Sequence, residues 1–527
     1  MVPDGGIRSC ETASIVSLHR SCCVKAAAWY QALVCTGTIA RGLPKGFSEA
    51  RAQTSIRSVS SLPKRKKDIP TKQRKMYEDG IDGDSLREVV ATAIKRIDIG
   101  TAVLPEPLFC SDTDQADSGP GSEGYELLGG ETSSGRNSHR DSNREGRAPD
   151  ELHATSSSTL YARTLRSEFN ALVVEHHLKW APMCVSEPGP FVDGSLSTRL
   201  GRYDFHHADA IVDWGIRYNM VVKGHVLVWH VTSPQLLEDL EPEEVREQLR
   251  RHIFTTMGHF RGRIRVWDVV NEALAPDGSL AENVFFRKLG PGYIEECFRW
   301  AHEADPDAVL LYNDNKVEGM NGPNKQKADG FYRLLAGLVK KGVPVHGCGI
   351  QAHFNAAGTG RNRVPTPRMV KNQIHRLGKL GLKVNISEMD VRVSKLAPEL
   401  RQIAQRQIYH DIIAAALTEP AFDGLWLWGF TDRHTWVTQF YSEDEPLVFD
   451  ESYGRKEAYY GLRDALSSIA RGGTVGAHVA LDSDEDEDGN RWGHAWMPPL
   501  LEEETRSSFL DQYGDDITGD QRPDWEV

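Results

Sequence analysis

The chain has 527 residues, 39% of them hydrophobic, and a mean hydropathy of −0.46, so it is long enough for a large barrel but too polar for its whole length to pack into one core. Its formal charge of −13 is uneven: residues 1–75 hold fourteen Lys/Arg against four Asp/Glu, and residues 471–527 hold fifteen acids against four bases. No run of about eighteen apolar residues occurs, which argues against a membrane span, and the acidic middle would repel a phosphate backbone, which argues against nucleic acid.

Residues 1–83 read as a basic, low-order arm. Its "KRKK" (64–67) is more simply a solvated run than a nuclear address. "CCVKAAAWYQALVCTGTIA" (22–40) is interrupted by Lys25 and Gln31 and starts too far in for a clear signal peptide, while the scarcity of acids is transit-peptide-like. The block 111–158 has one aromatic, Tyr125, and reads as a flexible insertion; "DSDEDEDGN" (482–490) marks 471–527 as an acidic, disordered tail. Four of the eight cysteines, Cys10, Cys22, Cys23 and Cys35, sit in the arm, and Cys110, Cys184, Cys297 and Cys348 are scattered without metal-ligand or disulfide spacing.

Between 84 and 470, β-rich runs alternate with helical patterns. The runs are "IDIGTAV" (97–103), "FNALVVEHHLKW" (169–180), "YNMVVKGHVLVWH" (218–230), "RIRVWDVVNEAL" (263–274), "AVLLYNDN" (308–315), "VHGCGIQAHF" (345–354), "LKVNISEMDV" (382–391) and "GLWLWGF" (424–430). Helical stretches fall at 242–257, 292–304, 325–340, 367–380, 398–417 and 454–469. Eight such alternations predict one α/β domain, a single (β/α)8 TIM barrel over 84–470 that carries the insertion 111–158.

In such a barrel, reactive groups stand at the C-terminal ends of the strands. Here apolar runs end on Glu175 with Lys179, His225 with Trp229, Asn271 with Glu272, Asn313, Gln351 with His353, Glu388 with Asp390, and Trp428. One strand-end carboxylate is usually an ion-pair partner or a cap; seven strands doing the same is not surface decoration. Glu272 and Glu388 suit glycoside cleavage, in which one carboxyl protonates the leaving oxygen and the other attacks the anomeric carbon. Tryptophans supply flat faces for sugar rings, although Trp426 is equally well explained as core. His176, His177, His225, His230 and His353 raise the question of a metal, but no HxH stands on the first strand and no HExxH helix appears. No phosphate-binding glycine loop is present either.

"KGHVLVWH" (223–230), "VWDVVNEAL" (266–274), "LYNDN" (311–315), "GIQAHF" (349–354), "ISEMD" (386–390), "WGFTDRHTW" (428–436) and the trailing "PLVFDESYGRKEAYYGL" (446–462) together resemble glycoside hydrolase family 10, the endo-β-1,4-xylanases. The resemblance implies a retaining enzyme acting on xylan, with Glu272 as acid/base and Glu388 as nucleophile, their carboxyls about 5–5.5 Å apart. It implies Asn271 on the 2-hydroxyl of the sugar at the cleavage point, and His353, held by Asp390, orienting Glu388 with Gln351 beside it. It places Glu175, Lys179, His225 and Trp229 on the sugars of the non-reducing side, with Trp428 and Trp436 closing over the cleavage-point sugar; Asn313 joins the substrate-binding set. Two positions depart from the pattern: His176, also expected to meet substrate, stands where an Asn is usual, and Val437 stands where an Arg is common.

The expected activity is endo-hydrolysis of xylan with retention, with no cofactor and no metal, by a monomer whose partner is polysaccharide. Its substrate places it outside the cell or in the cell wall. A transglycosylase using the same carboxylates, or a weakly active polysaccharide-binding protein, are the rival readings. The "NIS" sequon (385–387) falls inside the seventh predicted strand, where a glycan does not fit.

Overall fold

The structure, a computed structural model, describes residues 84–93, 95–110, 159–184 and 202–470. The expected arm (1–83), insertion (111–158) and tail (471–527) lie outside the described residues.

Parallel strands close into a barrel of eight positions. β1 (Asp98–Val103), β2 (Ala171–Val174), β3 (Val221–Gly224), β4 (Val266–Asn271), β5 (Val309–Asp314) and β6 (Gly347–Ile350) pair in chain order. The short β7 (His353–Asn355) pairs with the far half of β8 (Lys383–Arg392), continuing the sixth position beyond a break at Gln351 and Ala352. β8 also pairs with β6, β9 (Phe422–Leu427) pairs with β8, and β9 returns to β1. This is the (β/α)8 barrel that the alternation predicts. Buried on both faces, the strands are rich in Val, Leu and Ile, as parallel strands under helices must be.

Helices Pro242–Phe260, Tyr293–Ala304, Lys325–Lys340, Pro367–Gly378, Pro398–Leu417 and Glu457–Ala470 occupy the predicted helical stretches. Those beginning at Pro242, Pro367 and Pro398 open on the residue that presets φ and gives up an N–H without an intrahelical partner. None of the helices among the described residues is long and apolar enough to cross a membrane.

Apolar side chains form a large layer between strands and helices, and a small plug of Ala102, Ala171, Val173, Trp426 and Trp428 inside the barrel. A Cβ on Gly100 would run into the Trp426 indole, so β1 gives up a side chain to admit that ring. Trp426 is therefore core.

The structure corrects the sequence reading at β2 and at the strand-end placement on β8. β2 ends at Val174, and Glu175–Leu178 form a turn closed by the Lys179 N–H donating to the His176 carbonyl. His176 and His177 thus sit in that turn, not on a strand with opposed faces. β8 keeps its predicted length, but β7 gives its far half a partner, so Glu388 and Asp390 lie within a strand and not at its end.

Candidate active site

Glu272 follows the last residue of β4, with its backbone at φ +55° and its N–H donating to the Asn313 carbonyl on β5 at 3.0 Å. Three side-chain N–H groups converge on its carboxylate. The Trp229 indole donates to Oε2 at 3.0 Å, Gln351 donates to Oε1 at 2.8 Å, and Asn271 reaches Oε1 at 3.2 Å. Trp229 lies in the extended segment after β3, which Val228 joins to β4 through a bridge with Val270.

Glu388 is 4% exposed and is held from the same network. The Asn313 amide donates to Glu388 Oε1 at 2.6 Å and to Asn271 Oδ1 at 2.9 Å, and Gln351 adds a second bond to Asn271 Oδ1 at 3.2 Å. Ser387 fixes the sense of the chain by donating its hydroxyl to Asn313 Oδ1 at 2.6 Å. Every amide therefore turns its NH2 group toward a carboxylate. Gly349 makes room for this arrangement, since a Cβ there would strike the Asn313 amide oxygen and Ser387.

The other Glu388 oxygen faces His353 Nε2 at 3.2 Å, while His353 Nδ1 lies 2.8 Å from Asp390 Oδ2. Trp436 Nε1 donates to that same Asp390 oxygen at 2.9 Å. An imidazole between two carboxylates donates to both only as imidazolium. Burial opposes the charge, but Asp390 and the bond to Glu388 outweigh it and hold His353 well above the ordinary histidine range. Burial likewise pushes Glu388 up; the His353 hydrogen bond and the charges of His225, His353 and Lys223 outweigh it and hold Glu388 at about 2. Glu388 is an ionised, buried carboxylate.

Lys223 and His225 rest on one acid. Lys223 Nζ and His225 Nδ1 each lie 2.9 Å from Asp268 Oδ2, and all three side chains are almost fully buried. The His225 ring stands edge-on to Trp428, centroids 5.0 Å apart. On the β2 side, helix Trp180–Met183 starts directly after Lys179, with Trp180 stacked on His252 at 4.1 Å. That packing sets Lys179 Nζ 4.8 Å from the Trp229 ring and 5.9 Å from Trp428. Burial lowers Lys179 against the pull of Glu175, Glu388 and Glu272. Burial raises Glu175 to about 7, with Lys179 opposing and the charges of Glu106 and Glu388 adding. Burial, then Lys179 and His177, push His176 down to about 3, so its imidazole is neutral at ordinary pH. Val437 is fully buried and presents no polar group.

The barrel brings Glu272, Asn271, Gln351, Asn313, Glu388, His353, Asp390, Trp229 and Trp436 into one hydrogen-bonded set, and Lys179, His225 and Trp428 into ring contact with it. Glu175 joins it through charge, and His176 borders it through the turn it shares with Lys179. Lys223, Asp268 and Ser387 escaped sequence reasoning. The signal for the first two was a lone charge of each sign inside otherwise apolar runs, "MVVKGHV" and "VWDVV". Among the described residues, no group of three or more His, Cys, Asp or Glu is arranged to hold a metal.

The sequence profile of glycosyl hydrolase family 10 matches residues 139–465. Among curated proteins the chain is similar to "Endo-1,4-beta-xylanase B" of Thermotoga neapolitana, 34% identical over 311 residues that cover 58% of this chain and 83% of that protein. It is also similar to "Beta-1,4-xylanase" of Dictyoglomus thermophilum, 35% identical over 318 residues that cover 57% and 83%. Among solved structures it resembles native xylanase 10B from Thermotoga maritima, with a TM-score of 0.58 and 31% identity over 74% of this chain and 99% of that one.

Proposed function

The chain belongs to glycosyl hydrolase family 10, and from that premise we propose that it hydrolyses internal β-1,4-xylosidic bonds of xylan with retention of configuration. The observation that carries the reading is the unbroken run of hydrogen bonds from Glu272 through Gln351, Asn271 and Asn313 to Glu388. It fixes two carboxylates relative to each other, one directly after β4 and one within β8. The relatives named as xylanases supply the substrate class.

In the first step the Glu388 carboxylate attacks the anomeric carbon as Glu272 delivers a proton to the leaving glycosidic oxygen, giving a glycosyl ester on Glu388. Forming that ester removes the charge on Glu388. Glu272, now a carboxylate, then takes a proton from water as the water attacks the anomeric carbon and releases Glu388. Two inversions give net retention. Asn271 Nδ2, whose bond to Glu272 is its long one, turns to the 2-hydroxyl of the cleavage-point sugar. Trp428 and Trp436 offer that sugar apolar faces.

The test is incubation of the purified full chain with soluble β-1,4-xylan, followed by proton NMR of the anomeric signals. Reducing ends that appear first as the β-anomer are expected. First appearance of the α-anomer would defeat the retaining mechanism, and no release by folded protein would defeat hydrolysis. Adding a xylo-oligosaccharide acceptor separates transfer, which yields products longer than the acceptor.

Trp229→Phe keeps the ring beneath Lys179 and deletes the only donor to Glu272 Oε2 in this network. It is expected to lower kcat on xylan about tenfold with KM within twofold, the pattern for a group acting on the acid/base. Steady-state kinetics would show otherwise if KM alone rose. His176→Asn restores two amide donors and an acceptor where a neutral ring stands. It is expected to lower KM for short xylo-oligosaccharides about threefold or more, one hydrogen bond's worth, with kcat on polymeric xylan unchanged. An unchanged KM across chain lengths would remove His176 from the substrate path.

A further inference from the structure

We infer that β5 and the loop after it carry positioning residues for the reaction proposed above: Tyr312, braced by Asp314 and Lys327, holds the backbone beside Glu272, and Glu318 holds the turn between Gln351 and His353. The inference rests on that reading of Glu272 and Glu388.

Two backbone positions at the site lie in the left-handed region that side chains other than Gly disfavour: Glu272 at φ +55° and Ala352 at φ +67°. Such conformations persist only where the surroundings over-determine them. Both are tied to β5. The Ala273 N–H, next after Glu272, donates to the Tyr312 hydroxyl at 3.1 Å, and that hydroxyl donates to Asp314 Oδ2 at 2.6 Å. Lys327 Nζ neutralises Asp314 at Oδ1, 2.9 Å away, and donates to Asn315 Oδ1 at 2.7 Å. The Ala352 N–H donates to Glu318 Oε1 at 3.1 Å, and the same oxygen accepts the Lys316 N–H at 3.0 Å.

Strand alternation explains why one element does so much. Side chains at successive positions point to opposite faces. Asn313 faces the carboxylates, so Tyr312 and Asp314 face the layer under the helices. The two backbone partners match: the Glu272 N–H is taken by the Asn313 carbonyl at 3.0 Å and the Gln351 N–H by the Asp314 carbonyl at 3.1 Å. β5 therefore sets the height of the acid/base on one side and of Gln351 and His353 on the other.

Asp314 is fully buried, Lys327 is 5% exposed and Glu318 is 7% exposed. Burying three charged groups is expensive, and a well-packed apolar set is often as stable or more so. A carboxylate that accepts two backbone N–H groups does what an apolar residue cannot: it fixes where a turn sits. Placement errors of about 1 Å are enough to cost a hundredfold in rate.

The test uses the full chain and two substrates. Xylan has a poor leaving group that needs the Glu272 proton; a dinitrophenyl β-xylobioside has a leaving group that does not. Tyr312→Phe keeps the ring and frees the Ala273 N–H. It is expected to lower kcat on xylan about tenfold with KM unchanged, and to leave the pre-steady-state burst of dinitrophenolate within twofold. Glu318→Ala loosens both Gln351 and His353 and is expected to lower both rates about tenfold, with Glu318→Gln, which keeps an accepting oxygen, restoring them. Full activity of folded Tyr312→Phe on xylan, or equal loss on both substrates, would overturn the role of Tyr312. Full activity of Glu318→Ala, or Glu318→Gln no better than Glu318→Ala, would overturn that of Glu318. If Glu318→Ala does not fold, Tyr312→Phe carries the test. A parent chain inactive on xylan would sink the proposed function instead, so the two failures are distinguishable.

Discussion

Glu388→Ala is expected to lower xylan hydrolysis on the order of 10⁴-fold or more, because the proposed mechanism forms the glycosyl ester on that carboxylate. His353 and Asn313 each lose one acceptor, yet His353 keeps Asp390, itself bonded by Trp436, and Asn313 keeps Asn271, so the barrel is expected to stay folded. Stereochemistry gives the sharper readout. With azide and an activated aryl β-xylobioside, a protein lacking its nucleophile permits one direct displacement and yields the α-glycosyl azide. A β-azide from Glu388→Ala, or activity within tenfold of the parent, would move the nucleophile elsewhere.

The same residue makes a pH prediction. Its folded value of about 2 lies below the ordinary 4.5, so Glu388 contributes stability that is fully present above the ordinary value and lost as pH falls toward 2. His353, raised above the ordinary 6.5, works in the opposite sense: its contribution is present below that value and lost as pH rises through its folded value. Denaturant midpoints measured between pH 2 and 5 are expected to fall less steeply in Glu388→Ala than in the parent. Equal slopes would mean that the His353, His225 and Lys223 charges do not act on Glu388.

Much of this architecture is legible in the sequence. Alternating apolar runs and helical periods located all eight barrel positions, because each strand is buried on both faces and each helix on one. The carboxylates were legible because Glu272 and Glu388 interrupt those runs with charges that are costly to bury without partners. What periodicity does not carry is partner choice. "EHHLKW" continues a strand-like run, yet β2 stops at Val174 because a local hydrogen bond turns the chain before Lys179. β8 matches its predicted run to within a residue, yet Glu388 and Asp390 lie within the strand and not at its end, because β7 pairs with its far half. Lys223 and Asp268 were passed over for the same reason: each looks like a flaw in its own strand, and only the neighbouring strand reveals the pair. Tyr312 and Glu318 act through backbone N–H groups, which leave no trace in residue type.

Glu272→Ala is expected to separate the two steps that Glu388→Ala abolishes together. Without a proton donor, departure of a xylosyl oxygen slows about 10²- to 10⁴-fold, the usual range for a general acid. An aryl β-xylobioside with a good leaving group still loads Glu388, since the phenolate leaves unassisted. The second step then stalls, because water has lost its base, and the glycosyl ester accumulates. The expected result is a burst of one phenolate per protein, a mass gain equal to one xylobiosyl group on Glu388, and rescue by azide to the β-glycosyl azide. Trp229, Gln351 and Asn271 all point N–H groups at the vacated space, which suits a small anion such as azide. If Glu272→Ala lost activity equally on both substrates, with neither burst nor adduct, Glu272 would be a binding group and the proton would come from elsewhere. Glu175, raised to about 7, would then be the next carboxyl to replace.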